Sequence, residues 1–165
     1  MNPTVRRFRS GDAAATREVF AEAVLVGAAP RYSEAERRDW VPDPAMPEDW
    51  GEWLDEHLTF VAEDAGGIVG FMMIERDGYL NMAFVRPEAM GKGVAGTLYA
   101  AILSEARGLG LTRLTAAASR FFQGFLIRRG WRVVPGLPER PDVTILDTPK
   151  DNPQNRAMAL DLLPP

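Results

Sequence analysis

From Tyr79 to Leu98 the chain runs from an apolar strand through a proline and a glycine-rich turn into the start of an amphipathic helix. No other passage restricts the fold so much. Pro87 stops the strand, and Gly91, Gly93 and Gly96 remove the Cβ atoms that would hold an anion away from the backbone. The unpaired N–H groups of a helix start point at such an anion, and the helix dipole favours its negative charge. A strand, glycine loop and helix in this order form a phosphate cradle, and Lys92 adds a cation beside it. Two nucleotide motifs fit it poorly. A P-loop requires glycine at the position of Arg86 and Ser or Thr at that of Gly93. Gly91, Gly93 and Gly96 do match the spacing of the dinucleotide fingerprint, but no Rossmann unit opens the chain. About 20 residues on, where that fingerprint needs an acidic ribose partner, the sequence reads Leu109-Gly110-Leu111-Thr112.

The remaining pattern is that of a layered fold. Thr4 to Phe8 predicts a short strand, and Ser10 or Asp12 can cap a helix from Ala13 to about Val26. Ser33 with Glu36 forms a capping box for a second helix, which must stop by Trp40 because Pro42, Pro44 and Pro47 follow. Glu48 to His57 suits another helical turn or two. Thr59–Glu63, Ile68–Glu75 and Tyr79–Val85 read as a three-strand meander turning at Asp64-Ala65-Gly66-Gly67 and Arg76-Asp77-Gly78. The helix from Gly93 to about Arg107 carries Val94, Ala95, Leu98, Ile102 and Ala106 on one stripe. Leu114–Ala118 reads as a strand, Phe121–Arg129 as a helix closed by Gly130, and Trp131–Val134, Val143–Leu146 and Ala157–Leu162 as further strands. A meander followed by helix-linked strands predicts a single-domain α/β fold over residues 1–165, a mixed, mostly antiparallel central sheet flanked by helices on both faces.

Composition excludes several classes. The chain has no cysteine and one histidine, His57, so no thiolate or histidine-built metal site is expected. No apolar run approaches the ~20 residues that span a bilayer, and the N-terminal residues lack the apolar core of a signal peptide. A cytoplasmic location without a membrane partner is therefore expected. The net charge of −4 argues against nucleic acid as the main partner.

The segment Met90-Gly91-Lys92-Gly93-Val94-Ala95 resembles the acyl-coenzyme A loop of the GNAT superfamily of N-acetyltransferases, Arg/Gln-x-x-Gly-x-Gly/Ala. The strand Arg113–Ser119 and the stretch Phe125 to Val134 are similar to that family's next strand and its aromatic-Tyr-x-x-x-Gly-aromatic signature. Two positions depart: Met90 replaces the usual Arg or Gln, and Leu126 stands where many members have tyrosine. The resemblance implies a GNAT-like fold, acetyl-CoA as cosubstrate, and direct attack by an amine in a ternary complex without a metal. It also implies that Asn81–Val85 splays from Leu114–Ser119, with pantetheine in the gap. Coenzyme contacts would then fall on Phe84, Val85, Met90, Gly91, Lys92, Gly93, Val94, Ala95, Gly96, Thr97, Ser119 and Phe125.

Acetyl transfer needs a neutral amine, although a free alkylammonium has a pKa near ~10.4. It also needs donors for the charge that develops on the thioester carbonyl. Glu75 is the carboxylate best placed as base, with Asp77 behind it as solvated turn charge; Asn81 can order a water, and Ser119 or Tyr79 can polarise one. Leu126 cannot protonate the leaving thiolate, and Tyr99 reads as core, so solvent or the loop dipole is expected to serve. A GNAT-fold module that binds acyl-CoA without turnover is the alternative. Between Arg31 and Leu58 stand nine carboxylates and three arginines, together with Tyr32, Trp40, Trp50 and Trp53. The implied fold lays this segment over the acceptor mouth, where a cationic small-molecule or peptide amine would suit it. Outward-facing helix charge with tryptophans packed beneath is the plainer reading. The last strand, Ala157–Leu162, permits a homodimer.

Overall fold

The computed structural model describes residues 2–43, 45–137 and 155–163. Its elements follow the order β1 (Thr4–Arg7), α1 (Ala13–Glu22), α2 (Glu34–Trp40), α3 (Trp50–Glu56), β2 (Leu58–Asp64), β3 (Gly67–Ile74), β4 (Leu80–Val85), α4 (Val94–Gly108), β5 (Arg113–Ala118), α5 (Arg120–Ile127), β6 (Arg132–Val133) and β7 (Arg156–Asp161). The expected strand Val143–Leu146 lies outside the described residues. Strands β1 to β4 form an antiparallel sheet in chain order, and β5, β7 and β6 form a second antiparallel sheet in that order. Among the described residues, the only pairing between the two is a parallel bridge, Tyr79 to Thr115. The predicted mixed sheet is therefore present, divided into two halves.

Period-two alternation on the central strands divides the core between the two faces. Phe60 and Ala62 of β2 and Met72 and Ile74 of β3 pack with Leu98 and Ile102 of α4. Val61, Phe71 and Met73 pack with Val19 and Phe20 of α1 and with Trp50 and Leu54 of α3. Gly70 lets α4 come close to β3: a Cβ there would lie 3.1 Å from Val94 Cγ1 and 3.2 Å from Leu98 Cδ1. Helix burial thus fixes α4 against the sheet, and α4 in turn fixes the loop in front of it.

The local rules act where the sequence indicates, with one departure at the first helix. The Ser33–Glu36 capping box forms, with Ser33 N donating to Glu36 at 2.7 Å and Glu36 N to Ser33 Oγ at 3.2 Å. Neither Ser10 nor Asp12 caps α1 through its side chain; a 3₁₀ turn over Ser10–Asp12 leads into it. Asp12 is drawn off by stronger partners. It accepts from Arg6 Nη1 at 2.8 Å and from Arg9 N at 2.7 Å, while Arg6 Nε also donates to Glu63 at 3.0 Å. Charge-assisted bonds of this kind outweigh a neutral cap. Helix α1 also ends earlier than expected and continues as a π-helical turn over Ala23–Gly27.

Two measurements check this account. The Arg6 guanidinium holds the Asp12 carboxyl below its ordinary value. Because folding lowers that pKa, the bridge contributes fully above the unfolded value of ~3.9 and is lost as pH falls below it. Urea unfolding of Asp12→Asn should therefore show a shallower loss of stability on acidification than the parent chain. Gly78 has φ +95°, and a Cβ there would sit 2.5 Å from the Arg113 carbonyl oxygen. Gly78→Ala should cost about 3 kcal/mol in urea unfolding, and an unchanged midpoint would contradict the junction described here.

Candidate active site

Strand β4 pairs fully with β3, but its other edge meets β5 only at the Tyr79–Thr115 bridge, where Thr115 N donates to Gly78 O at 3.0 Å. Beyond that point the strands diverge. The register on β3 shifts as well: Leu80 opposes Ile74 and Met82 opposes Met73, so Asn81 is an extra residue on β4. A bulge of this kind bends its strand and re-aims side chains, and bulges recur beside active sites. The divergence opens a cavity of about 800 Å³ bounded by β4, β5, the Met90–Gly96 loop, α5 and the end of α1.

The loop works through its backbone. Gly91 and Gly93 have φ of +75° and +83°, a conformation that side chains disfavour, and a Cβ on either would meet nothing within 4 Å. Gly93 is the residue before α4, so the open space lies over the first N–H groups of a 15-residue helix. Met90, Gly91, Gly93, Val94, Ala95 and Gly96 all border the cavity. Lys92 and Thr97 do not. Lys92 is exposed and borders a smaller hollow with Pro3 and Asp64, and Thr97 turns its hydroxyl back to Gly93 O at 3.0 Å. The cation expected beside the cradle therefore stands outside it.

Phe84, Val85, Ser119 and Phe125 line the same cavity. Ser119 precedes α5 in extended conformation, and its carbonyl accepts from Phe122 N and Gln123 N, both at 3.0 Å. Phe122 and Phe125 stack at 4.9 Å along the α5 wall. The cavity also meets Glu75, Tyr79 and Asn81. Glu75 is 9 % exposed and accepts from Asn81 Nδ2 at 2.7 Å, so the bulge residue holds the carboxylate. Asp77 is exposed and caps its own turn, accepting from Tyr79 N at 3.1 Å.

Of the three tyrosines, Tyr79 alone borders the cavity. The Tyr32 hydroxyl accepts from Arg120 N at 2.7 Å. Tyr99 accepts from Trp131 Nε1 at 2.8 Å, and burial holds its phenol above the ordinary value. Leu126 is fully buried in the core and does not reach the cavity. His57 ends α3, its Nδ1 at 2.8 Å from Trp53 O.

Of the two readings of segment 31–58, an acidic acceptor mouth and outward helix charge over packed tryptophans, the structure has the second. All its carboxylates except Glu36 are exposed on outward faces, and none borders the cavity. The inward face of α3 carries Trp50, Trp53 and Leu54, because a short helix at a sheet must bury an apolar stripe. Trp50 is core, donating to Thr16 Oγ1 at 3.1 Å, whereas Trp40 and Trp53 reach the cavity wall beside Phe20, Val24 and Met82. Arg31, Arg128 and Arg129 are the cations that border the cavity among the described residues. Arg128 and Arg129 directly follow α5, where cations also complement a helix C-terminus. Their signal, a pair of arginines four and three residues after the paired phenylalanine Phe125, becomes readable only once α5 is known to face the loop.

Residues 28–147 match the family described as Acetyltransferase (GNAT) domain. No curated protein matches the sequence. Among solved structures, a GCN5-related N-acetyltransferase from Rhodopseudomonas palustris is 26 % identical, with a TM-score of 0.79 over 98 % of this chain and 97 % of that one. PaiA N-acetyltransferase from Thermoplasma acidophilum, solved in complex with coenzyme A, is 17 % identical with a TM-score of 0.74 over 98 % of this chain and 100 % of that one. N-acetylglutamate synthase from Neisseria gonorrhoeae, complexed with coenzyme A and N-acetyl-glutamate, is 17 % identical with a TM-score of 0.65 over 99 % of this chain and 36 % of that one. The glycine loop, the split sheet and the matched residues agree: the chain belongs to the GNAT acetyltransferase family.

Proposed function

We propose that this protein is an acetyl-CoA-dependent N-acetyltransferase that moves the acetyl group to a primary amine of a small molecule or peptide by direct attack in a ternary complex. The observation that carries this reading is one continuous cavity, with the glycine loop at one end and the Asn81-held Glu75 at the other. Coenzyme phosphates would lie on the loop N–H groups, and pantetheine in the gap between β4 and β5. The unpaired edge of β4 beyond Tyr79 offers N–H groups where charge develops on the thioester oxygen.

The chemistry then balances without a metal. The amine nitrogen attacks the thioester carbonyl carbon, the C–S bond breaks, and an amide and the coenzyme thiol result. Glu75 takes the proton that the ammonium must lose, through a water ordered by Asn81, and Ser119 or Tyr79 polarises that water. The thiolate gains its proton from solvent, since position 126 supplies no acid. Holding both reactants in one cavity supplies much of the rate.

The acceptor end is walled by Phe20, Val24, Trp40, Trp53 and Met82. We assign it to an amine carried on an apolar or aromatic body rather than to the polycation that the charge of segment 31–58 first suggests. The buried Leu126 favours one other reading, a module that binds acyl-CoA without turnover.

Thiol release with a panel of amines separates the two, and mass spectrometry identifies the acetylated product. Turnover is expected with arylalkyl amines ahead of polyamines, and none with any amine would sink the catalytic reading. Glu75→Gln should lower kcat by about 10²- to 10⁴-fold, with acetyl-CoA affinity unchanged.

A further inference from the structure

The loop in front of α4 presents the cavity with N–H groups but no cation of its own. Lys92 faces outward, and Met90 is apolar, its Cε so placed that a Cβ on Gly27 of the π-helical turn would lie 2.5 Å from it. A positive charge reaches the start of α4 from across the cavity. Arg129 follows α5, and its Nη2 lies 3.3 Å from where a Cβ on Gly96 would stand. Gly96 is therefore the loop-helix position whose missing side chain makes room for a guanidinium.

Arg129 is held firmly. Its guanidinium lies over the Phe125 ring at 3.5 Å and over the Tyr99 ring at 5.6 Å, and Nη1 donates to Phe125 O at 3.2 Å. Tyr99 is fixed in turn by Trp131. Among the described residues no carboxylate forms an ion pair with Arg129. A guanidinium fixed by stacking beside a helix start, with no acidic partner and donors to spare, is arranged for an anion with oxygens on more than one side.

We infer that Arg129 is a phosphate-binding residue of the coenzyme site, supplying from just beyond α5 the cation that the loop lacks at Met90. The inference rests on the coenzyme reading above. Two groups of coenzyme A share the required chemistry, the pyrophosphate and the 3′-phosphate. Lysine at this position would keep the charge but lose the planar stack and the fork of donors.

Calorimetric titration of the parent chain, Arg129→Ala and Arg129→Lys with coenzyme A, dephospho-coenzyme A and pantetheine tests it. Arg129→Ala should weaken coenzyme A by about 10- to 100-fold, in line with loss of a charge-assisted contact, and Arg129→Lys by less. Pantetheine, which has no phosphate ester, should bind all three proteins alike. Loss with both coenzyme forms places the contact at the pyrophosphate; loss with coenzyme A alone places it at the 3′-phosphate. Equal coenzyme affinity in parent and Arg129→Ala overturns the inference while leaving the coenzyme reading intact. A loss that extends equally to pantetheine also overturns it, since the arginine would then only shape the wall. Absence of coenzyme binding by the parent chain overturns both.

Discussion

One backbone bridge, Tyr79 to Thr115, joins two antiparallel sheets that otherwise separate, and the functional architecture depends on that junction. Had β4 and β5 paired along their length, their edges would be satisfied and closed to a ligand. Gly78 permits the junction by turning with positive φ directly against the Arg113 carbonyl, and the bulge at Asn81 bends β4 away immediately afterwards. The same few residues therefore set where the cavity ends and place Glu75 at that end. The rest of the core supports this arrangement from behind. Strands β2 and β3 are buried on both faces, and α4 seats on them through Gly70, so the loop at its N-terminus has little freedom to move.

Sequence patterns foretold what local chemistry decides. The capping box at Ser33, the glycine turns and the glycine loop appear in the structure where they were expected, because each needs only neighbours within a few residues. Features set by distant partners were not readable. Asp12 looked like a cap until β1 brought Arg6 beside it, and the bulge at Asn81 exists only relative to the register of β3. The sequence motif grouped Lys92 with the glycines, but alternate positions of a tight loop face opposite ways, and Lys92 turns from the cavity. The acid-rich segment left two readings open for a related reason. Charge counted along a chain ignores which side of a helix it occupies, and here the tryptophans took the inner side.

The cavity that results has two unlike ends. Around the loop, oriented N–H groups and the α5 arginines create a region suited to polyanions. Toward Glu75 the wall is aromatic and apolar, and Glu75, the one carboxylate on it among the described residues, is held by a neutral amide. In the proposed reading, this polarity gives a bound coenzyme one direction, phosphates toward the loop and thioester toward Glu75. In the same proposal Met90 can stand in the loop because backbone N–H groups and Arg129 would meet the anion in place of that side chain.

The central claim is that the gap between β4 and β5 is the coenzyme site, and amide hydrogen exchange with and without acetyl-CoA tests it most directly. The account predicts slower exchange in the loop amides from Gly91 to Gly96, in β4 beyond Tyr79 and in Ala116–Ser119, with β1 and β2 unchanged. Saturating acetyl-CoA that leaves those amides untouched, or protects a different face of the molecule, would contradict it.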